Sequence, residues 1–232
     1  MIEVREVSKR FEGRAVLDRV SLLVPDRKVV VILGPSGIGK TVLLRVMTGL
    51  MVPDSGEVRY DGVTLRPDDG SASEAVLCRV GFVFQSGALF DSLTVAENIA
   101  LPLSETRRLA RAELERRVRE ALALVGMENC RDRYPHELSG GMSRLVAIAR
   151  SLVTDPDYLF FDEPTTGLDP VMRERMTRLI VRLRDEKGKT GVAVTHDLES
   201  ARDIADVVYM LRDGRLMLME RAGKESYETN CA

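Results

Sequence analysis

The stretch Gly34-Pro35-Ser36-Gly37-Ile38-Gly39-Lys40-Thr41 decides the fold of this 232-residue chain. It has the spacing G-x-x-x-x-G-K-[ST], follows an apolar run at Val29–Leu33 and opens an amphipathic stretch over residues 41–50. Glycines let backbone N–H groups curve around phosphate oxygens, and the N-terminus of a following helix favours the same negative charge. The Lys40 ammonium would reach the outer phosphates, and the Thr41 hydroxyl would be a ligand for Mg²⁺. The sequence therefore predicts a strand, a phosphate-binding loop and a helix in succession.

A second apolar stretch, Tyr158-Leu-Phe-Phe-Asp162-Glu163, ends in two carboxylates. A buried strand that ends in an acidic residue often accompanies a phosphate-binding loop, so Asp162 is predicted to hold Mg²⁺ beside Thr41. Glu163 comes one residue later, where a carboxylate could polarise an attacking water as a general base. Two acids before Pro164 would by themselves indicate only a turn, but together with the phosphate loop they favour nucleotide hydrolysis.

Short apolar runs alternate with helical patterns along most of the chain, which indicates an α/β domain with a largely parallel sheet. Before one helical pattern, Asp169 is a plausible N-cap, and Pro170 occupies the first helical position. Asp213-Gly214 separates two final apolar runs as a hairpin turn would. A cluster of Gly, Asp and Ser over residues 68–73 indicates a surface loop. The strand-length runs lie at residues 29–33, 81–84, 158–161, 192–195 and 207–211.

The region from about residue 86 to 154 lacks a strong strand run. It is predicted to be a helical lobe inserted into a core formed by residues 1–85 and 155–220, with a short polar tail at 221–232. An apolar stripe with helical spacing supports the lobe: Leu114, Val118, Ala121, Leu122 and Val125. The opposite face is rich in arginine, which fits either a solvated helix face or a docking surface for a partner: Arg111, Arg116, Arg117 and Arg119.

The composition argues against several classes of protein. The net charge of −2, from 34 basic and 36 acidic residues, predicts no nucleic-acid partner and no electrostatic attraction to anionic membranes. Apolar runs of about five residues are far shorter than the roughly 20 that a membrane helix needs, so we expect no membrane span. The three cysteines have no metal-ligand spacing and are expected to be reduced thiols.

The stretch Leu138-Ser139-Gly140-Gly141-Met142 indicates which group of phosphate-loop proteins the chain resembles. Ser139 can cap a helix whose first turn is Gly140-Gly141, which would leave bare N–H groups facing outward as a second anion site. The phosphate loop and this second anion site can serve the same nucleotide if the second site of one copy meets the phosphate held by the loop of another copy. The stretch resembles the ABC signature, and residues 2–219 as a whole resemble an ATP-binding subunit of an ABC transporter.

This resemblance implies a P-loop NTPase fold of the ABC ATPase type, with a mostly parallel sheet core, an antiparallel β part and an inserted helical subdomain. It implies ATP and Mg²⁺ as cofactors, with Lys40 and Glu163 among the catalytic residues and Thr41 and Asp162 at the metal. It also implies a homodimer, in which signature residues 139–141 contact the ATP of the opposite copy.

Single residues in the expected order extend the resemblance. Gln85 resembles the glutamine that binds Mg²⁺ and senses the partner subunit. His196 resembles the switch histidine that contacts the γ-phosphate, and Asp169 resembles the D-loop aspartate at the dimer seam. Phe11 matches the aromatic residue that stacks on adenine, with ordinary core packing as the alternative. His136 is interpreted as structural.

Within the family, three stretches resemble the ATPases of MCE-type phospholipid transport, the Mla system of lipid asymmetry. Besides the phosphate loop they are Phe84-Gln-Ser-Gly-Ala-Leu-Phe90 and Glu137-Leu-Ser-Gly-Gly-Met142, where most ABC ATPases have Gln in place of Met142. The resemblance implies phospholipid transport, a membrane permease and an MCE-domain protein as partners, and a peripheral position on the cytoplasmic face of the inner membrane. Alternatives are lipoprotein release, cell division, small-solute import and a soluble ABC ATPase. Leu145 departs from the family, since a basic residue is expected there.

Residues 86–90 suggest a hypothesis about the permease. Ala88, Leu89 and Phe90 are apolar in a stretch that otherwise indicates a loop, and exposed apolar patches often mark contact sites. Together with the helical lobe they could form a groove for a short cytoplasmic helix of the permease, with Gln85 linking that groove to the Mg²⁺ site. In the alternative, Leu89 and Phe90 pack the lobe onto the core.

Overall fold

The computed structural model describes residues 1–66, 70–106 and 109–221. The strands are β1 (Ile2–Phe11), β2 (Arg14–Val24), β3 (Val29–Leu33), β4 (Ser55–Tyr60), β5 (Val63–Thr64), β6 (Val80–Val83), β7 (Tyr158–Asp162), β8 (Thr190–Thr195), β9 (Val207–Arg212) and β10 (Arg215–Arg221). The helices are α1 (Lys40–Met47), α2 (Gly70–Leu77), α3 (Val95–Thr106), α4 (Arg111–Val125), α5 (Gly140–Leu152), α6 (Pro170–Asp185) and α7 (Leu198–Ile204). A six-stranded sheet has the order β10-β9-β3-β8-β7-β6, and a four-stranded sheet has the order β2-β1-β4-β5.

The six-stranded sheet confirms the predicted parallel core. Strands β9, β3, β8, β7 and β6 run parallel to one another, and β10 pairs antiparallel with β9. Every residue of β3, β7 and β8 is buried, as expected for central parallel strands that are covered on both faces. The predicted hairpin at Asp213-Gly214 joins β9 to β10, and its two φ angles of 49° and 75° have the sign that a type I′ turn requires.

Two hydrophobic clusters lie on opposite faces of this sheet, because successive side chains of a strand point in opposite directions. Val29, Val31 and Leu33 of β3 belong to a cluster that also contains residues of α3, α4, α5 and α6. Val30 and Ile32 belong to a second cluster with residues of α1 and of the four-stranded sheet. Packing on both faces of the sheet therefore fixes β3 and, with it, the start of the loop that follows β3.

Between β6 and β7 the chain forms α3, α4 and α5, in the region where the sequence predicts a helical lobe. The predicted stripe on α4 is buried at four of its positions, while Leu114 is partly buried against the same cluster. On the arginine-rich face, Arg116 and Arg117 both donate hydrogen bonds to Glu113. These pairs within one helix, of which only Arg116 is exposed, satisfy the arginines locally and favour a solvated face over a docking surface.

The strands of the four-stranded sheet were not located by apolar runs, although the family resemblance implies an antiparallel part. In β1 the alternation of buried Ile2 and Val4 is interrupted before Val7, where the register with β2 shifts and Glu6 has a φ of 47°. Such a bulge breaks the period-2 pattern by which a strand is recognised in a sequence.

The predicted surface loop at residues 68–73 is wrong where the structure describes it. Helix α2 begins at Gly70, and the buried Ser73 hydroxyl exchanges hydrogen bonds with the backbone of Arg66. Residues 67–69 and the predicted tail beyond Arg221 lie outside the described residues. None of the helices in the described ranges combines the length and the apolar character needed to cross a bilayer.

Candidate nucleotide site

The predicted phosphate loop runs from the end of β3 to the start of α1. Gly37 and Gly39 have φ angles of 77° and 117°, which glycine adopts without steric cost. A Cβ on Gly34 would lie 2.8 Å from the Leu211 carbonyl oxygen, and one on Gly39 would lie 2.7 Å from Cγ1 of Val16. Both the loop conformation and the close approach of β9 and β2 therefore require glycine. No side chain caps the start of α1, so its first N–H groups remain free for an anion.

Lys40 lies folded over this loop, and its side chain is only 4% exposed. Its ammonium donates hydrogen bonds to the carbonyl oxygens of Gly34 and Pro35 at 2.7 and 3.0 Å. It also lies 3.1 Å from Oε1 of Glu163. A buried ammonium needs oxygen partners, and these three supply them. The contact joins the phosphate loop to the carboxylates at the end of β7.

The structure also brings Thr41 and Asp162 together, since the Thr41 hydroxyl donates to Oδ1 of Asp162 at 3.0 Å. Adjacent oxygen ligands of an octahedral Mg²⁺ with bonds of about 2.1 Å would be about 3 Å apart, so this pair fits two neighbouring ligand positions. Burial raises the pKa of Asp162, and the hydrogen bond from Thr41 opposes that shift. Among the described residues no cluster of three His, Cys, Asp or Glu side chains could hold a metal by itself. A Mg²⁺ ion here would need water and phosphate oxygens as well.

Glu163 is the most highly connected carboxylate of the site. Its backbone has a φ of 50°, which is uncommon outside glycine and is typical of strained functional positions. Its Oε2 accepts a hydrogen bond from the Thr166 hydroxyl at 2.7 Å and lies 3.0 Å from Nδ1 of His196. Burial alone would raise the pKa of Glu163, but the hydrogen bonds from Thr166, His196 and Lys40 outweigh it and lower the pKa. The side chain is thus held as a carboxylate at neutral pH.

Gln85 and Phe11 are two further predicted site residues, which lie just after β6 and at the end of β1. Gln85 follows β6, whose parallel neighbour β7 carries Asp162, and its side chain is exposed. Its carbonyl oxygen accepts a hydrogen bond from Arg144, but the described contacts of Gln85 do not include Asp162, so its role at the metal stays a prediction. Phe11 ends β1, is 43% exposed and has the Lys9 ammonium 5.8 Å from its ring centroid. The exposure of this ring disfavours ordinary core packing.

The signature residues lie at the start of α5. Ser139 caps that helix as predicted, accepting a hydrogen bond from the Met142 N–H at 3.3 Å. Gly140 is exposed, whereas a Cβ on Gly141 would lie 2.4 Å from Cγ of Met172 on α6. Glycine at 141 therefore permits the close packing of α5 and α6.

The predicted D-loop residue Asp169 is exposed and caps α6, accepting from the Met172 N–H at 3.0 Å. Within the described part of the chain, no hydrogen bond or ion pair connects residues 139–141 or Asp169 with Lys40 or Glu163. Ser139, Gly140 and Asp169 are exposed, so another molecule can reach them.

Thr166 and two arginines were missed by the sequence analysis. Thr166 orients Glu163, as described above, and Arg144 donates hydrogen bonds to the carbonyl oxygens of Gln85 and Thr166. Arg150 donates to the carbonyl oxygens of Gly87 and Ala88. Thr166 follows the predicted general base by three positions and could have been noticed as a hydroxyl residue, but arginines that bind backbone carbonyls leave no pattern in a sequence.

A groove of 1270 Å³ with both apolar and polar lining residues lies beside the helical lobe. Its lining includes Leu77, Phe82, Phe84, Pro102 and Arg150. The predicted segment 86–90 is not part of the lining of this groove. Leu89 packs its side chain against the large hydrophobic cluster, and Phe90 is exposed outside the groove. The groove is therefore adjacent to the predicted segment. For Leu89 the structure favours the alternative in which the side chain packs the lobe onto the core.

Comparisons with known proteins agree with this geometry. A family model described as ABC transporter matches residues 17–166. The chain is 39% identical over 217 residues to the intermembrane phospholipid transport system ATP-binding protein MlaF of Escherichia coli K12, covering 94% of this chain and 81% of MlaF. It is 43% identical over 218 residues to the sulfate/thiosulfate import ATP-binding protein CysA of Caulobacter vibrioides, covering 93% of this chain and 63% of CysA. The chain thus spans less than two thirds of the length of that second relative.

A solved dimer of the ATP-binding cassette MJ0796, in a post-hydrolysis state with ADP and Pi, superposes with a TM-score of 0.88 at 33% identity. The superposition covers 97% of this chain and 100% of that cassette, which confirms the predicted ABC ATPase fold. Because the family model covers more than half of the chain and both curated relatives align along more than nine-tenths of it, the chain belongs to the ABC transporter family, as an ATPase domain.

Proposed function

We propose that this chain hydrolyses ATP with Mg²⁺ and that Glu163 orients and deprotonates the attacking water. One observation carries the proposal: the buried Glu163 carboxylate contacts Lys40, Thr166 and His196, next to the Thr41–Asp162 pair. When bound, Mg²⁺ would be held by Thr41 and Asp162 and would neutralise charge on the β- and γ-phosphates. The loop N–H groups and the Lys40 ammonium would hold the same phosphates in line for attack.

Lys40 has a second part in this mechanism. Its ammonium is shared among two backbone carbonyls and Glu163, and a triphosphate would compete for the same ammonium. Transfer of Lys40 to phosphate would free Oε1 of Glu163 to face water, while Thr166 and His196 would still hold Oε2. ATP binding would in this way prepare the general base.

We further infer that two copies form the working unit. Ser139 and Gly140 are exposed at the start of α5, where backbone N–H groups can receive a phosphate. Asp169 is exposed at the start of α6, next to the same Met172 that packs on the signature. A second copy placed with its signature over the phosphate loop would complete each site. The dimeric state of the similar cassette supports the pairing of two copies.

For the transported substrate, phospholipid is the best-supported candidate. Identity to MlaF extends over 94% of the chain, and the stretches Phe84–Phe90 and Glu137–Met142, with Met142 in place of the usual Gln, resemble MCE-type ATPases. Sulfate import is the second candidate, since identity to CysA reaches 43%. The proposed hydrolytic residues act on ATP and need never touch the cargo, so they do not distinguish the two candidates.

The groove beside the helical lobe is our candidate for docking a short amphipathic helix of a membrane permease. Its lining includes partly exposed Leu77 and Phe84 at the foot of the Gln85 loop, and such apolar surface is what a helix in a groove buries. Docking there would place the chain at the cytoplasmic face of the inner membrane as a peripheral subunit, with an MCE-domain protein as a further partner.

The test is to purify the tagged chain together with its own membrane partners and reconstitute the complex in liposomes. ATP-dependent movement of a fluorescent phospholipid, absent with Glu163→Gln, would support the proposal. ATP-dependent uptake of labelled sulfate would overturn it in favour of the second candidate. Recovery of the chain without any membrane protein would contradict a transport role and favour a soluble ATPase.

A further inference from the structure

Arg150 holds a loop in an unusual conformation. Its guanidinium donates hydrogen bonds to the carbonyl oxygens of Ala88 and Gly87 at 2.8 and 2.9 Å. Gly87 and Ala88 have φ angles of 79° and 47°, so two successive residues are left-handed. A Cβ on Gly87 would lie 3.2 Å from the Ser143 carbonyl oxygen of α5, which shows how closely the loop lies on that helix. Glycine adopts this conformation without steric cost, but left-handed Ala88 costs free energy that the hydrogen bonds from Arg150 help to offset.

Arg144, on the same helix, joins this loop to the catalytic turn. Its Nε donates to the Gln85 carbonyl oxygen at 3.0 Å, and its Nη1 donates to the Thr166 carbonyl oxygen. The planar guanidinium can bridge two acceptors from separate segments, which the single ammonium of lysine cannot do with the same geometry. Three segments therefore meet at one side chain: helix α5, the loop after β6 and the turn after β7.

Thr166 connects this junction to Glu163, because its hydroxyl donates to Oε2 at 2.7 Å. In the described part of the chain neither Arg144 nor Arg150 forms an ion pair with a carboxylate, and burial lowers the pKa of both guanidinium groups. Both guanidinium groups are partly buried, and Arg144 alone gains from the charge of nearby Glu163. Holding a cation largely against carbonyl oxygens is costly, and so it is not expected without a gain in positioning. Arg150 also lines the groove, so a ligand in the groove would touch the same assembly.

We propose that Arg144 and Arg150 are positioning residues: together they fasten residues 85–88 to α5, and Arg144 transmits the position of α5 to Glu163 through Thr166. We call the two arginines with the carbonyl oxygens of Gln85, Gly87 and Ala88 the arginine strap. The loop after β6 would then move with the signature helix, and displacement of α5 would shift the hydroxyl that orients the general base. The kinetic part of this inference rests on the proposed ATP hydrolysis, whereas the strap itself does not.

The strap is tested without any activity by amide hydrogen exchange, followed by mass spectrometry on peptides that contain residues 84–90. Arg144→Lys and Arg150→Lys keep the charge but lose the bridge, and each should accelerate exchange in this segment about 10-fold, the scale of one charged hydrogen bond. Arg116→Lys, on the exposed face of α4, is the matched control and should change nothing there. Unchanged exchange in both strap variants would overturn the strap. If Arg150→Lys does not fold, the result with Arg144→Lys decides.

Transmission through Thr166 is tested by a double-mutant cycle in steady-state ATP hydrolysis. Arg144→Lys and Thr166→Val should each lower kcat about 10-fold with KM for ATP unchanged, because the loss is one of orientation and not of nucleotide binding. The double variant should be no slower than the slower single variant, since both changes act on the same hydrogen bond to Glu163. Independent effects that multiply, or wild-type kcat in Arg144→Lys, would overturn the transmission. If the wild-type chain hydrolyses no ATP, the proposed function fails, and the exchange experiment still decides the strap.

Discussion

Replacing Glu163 with glutamine removes the proposed base while the surrounding contacts can be kept. The carboxylate faces Lys40 with one oxygen and faces Thr166 and His196 with the other. An amide of the same shape can turn its oxygen toward Lys40 and donate from its nitrogen to the Thr166 hydroxyl and to an unprotonated Nδ1 of His196. Lys40 keeps its two carbonyl acceptors in the variant. We therefore expect Glu163→Gln to fold and to bind ATP.

Turnover should nearly vanish in this variant, because an amide is not a base. General base catalysis contributes about 10²–10⁴-fold, which corresponds to roughly 3–5 kcal/mol of transition-state stabilisation. Steady-state phosphate release gives kcat, and an ATP titration monitored by calorimetry gives the affinity. The matched control is Glu120→Gln, which removes an exposed carboxylate of α4 and should leave both quantities unchanged. A Glu163→Gln variant that kept more than about a tenth of the wild-type kcat would refute the assigned role.

Three further changes test the rest of the site. Ser139→Arg should leave ATP binding by the monomer intact but abolish the ATP-bound dimer of the Glu163→Gln background in light scattering; a surviving dimer would exclude the two-copy site. Phe11→Ala should weaken ATP binding about 10- to 100-fold without affecting tripolyphosphate, since stacking on a base contributes about 1–3 kcal/mol, and equal losses for both ligands would argue against stacking. Leu77→Glu should melt normally yet fail to co-purify with the permease, whereas Leu89→Glu should lower the melting temperature because Leu89 packs against the core; retained co-purification with Leu77→Glu would rule out the groove.

The phosphate loop and the parallel sheet could be predicted because their geometry depends on residue type. Any Cβ at Gly34 or Gly39 would collide with the neighbouring strands, so the positions of these glycines carry structural information. Buried central strands exclude polar side chains, so β3, β7 and β8 stand out as apolar runs. The caps Ser139 and Asp169 could be predicted for a similar reason, because few side chains can accept from a free N–H at a helix start.

Other parts of the molecule depend on tertiary contacts that no local pattern announces. The bulge at Glu6 shifts the register of β1 and hides its alternation, so the antiparallel sheet could be expected only from the family resemblance. Helix α2 begins in a stretch of Gly, Asp and Ser, where the buried Ser73 bonds to the backbone of Arg66 and overrides the local preference for a turn. An apolar Leu89 in a loop-like stretch favours a docking surface and leaves core packing as the alternative, and only the packing of the lobe decides for the core.

The arginine strap is an extreme case of the same limit, because its acceptors are backbone oxygens that every residue possesses. Changing the side chain of Gln85 or Ala88 would leave the carbonyl groups where they are, whereas changing Arg144 or Arg150 removes the donors outright. In a sequence such an arginine looks like any charge on a solvated helix face. The groups that act on ATP can be recognised by residue type, but the groups proposed to position them must be found in the fold, where a partly buried guanidinium that binds backbone carbonyls from separate segments is the feature to look for.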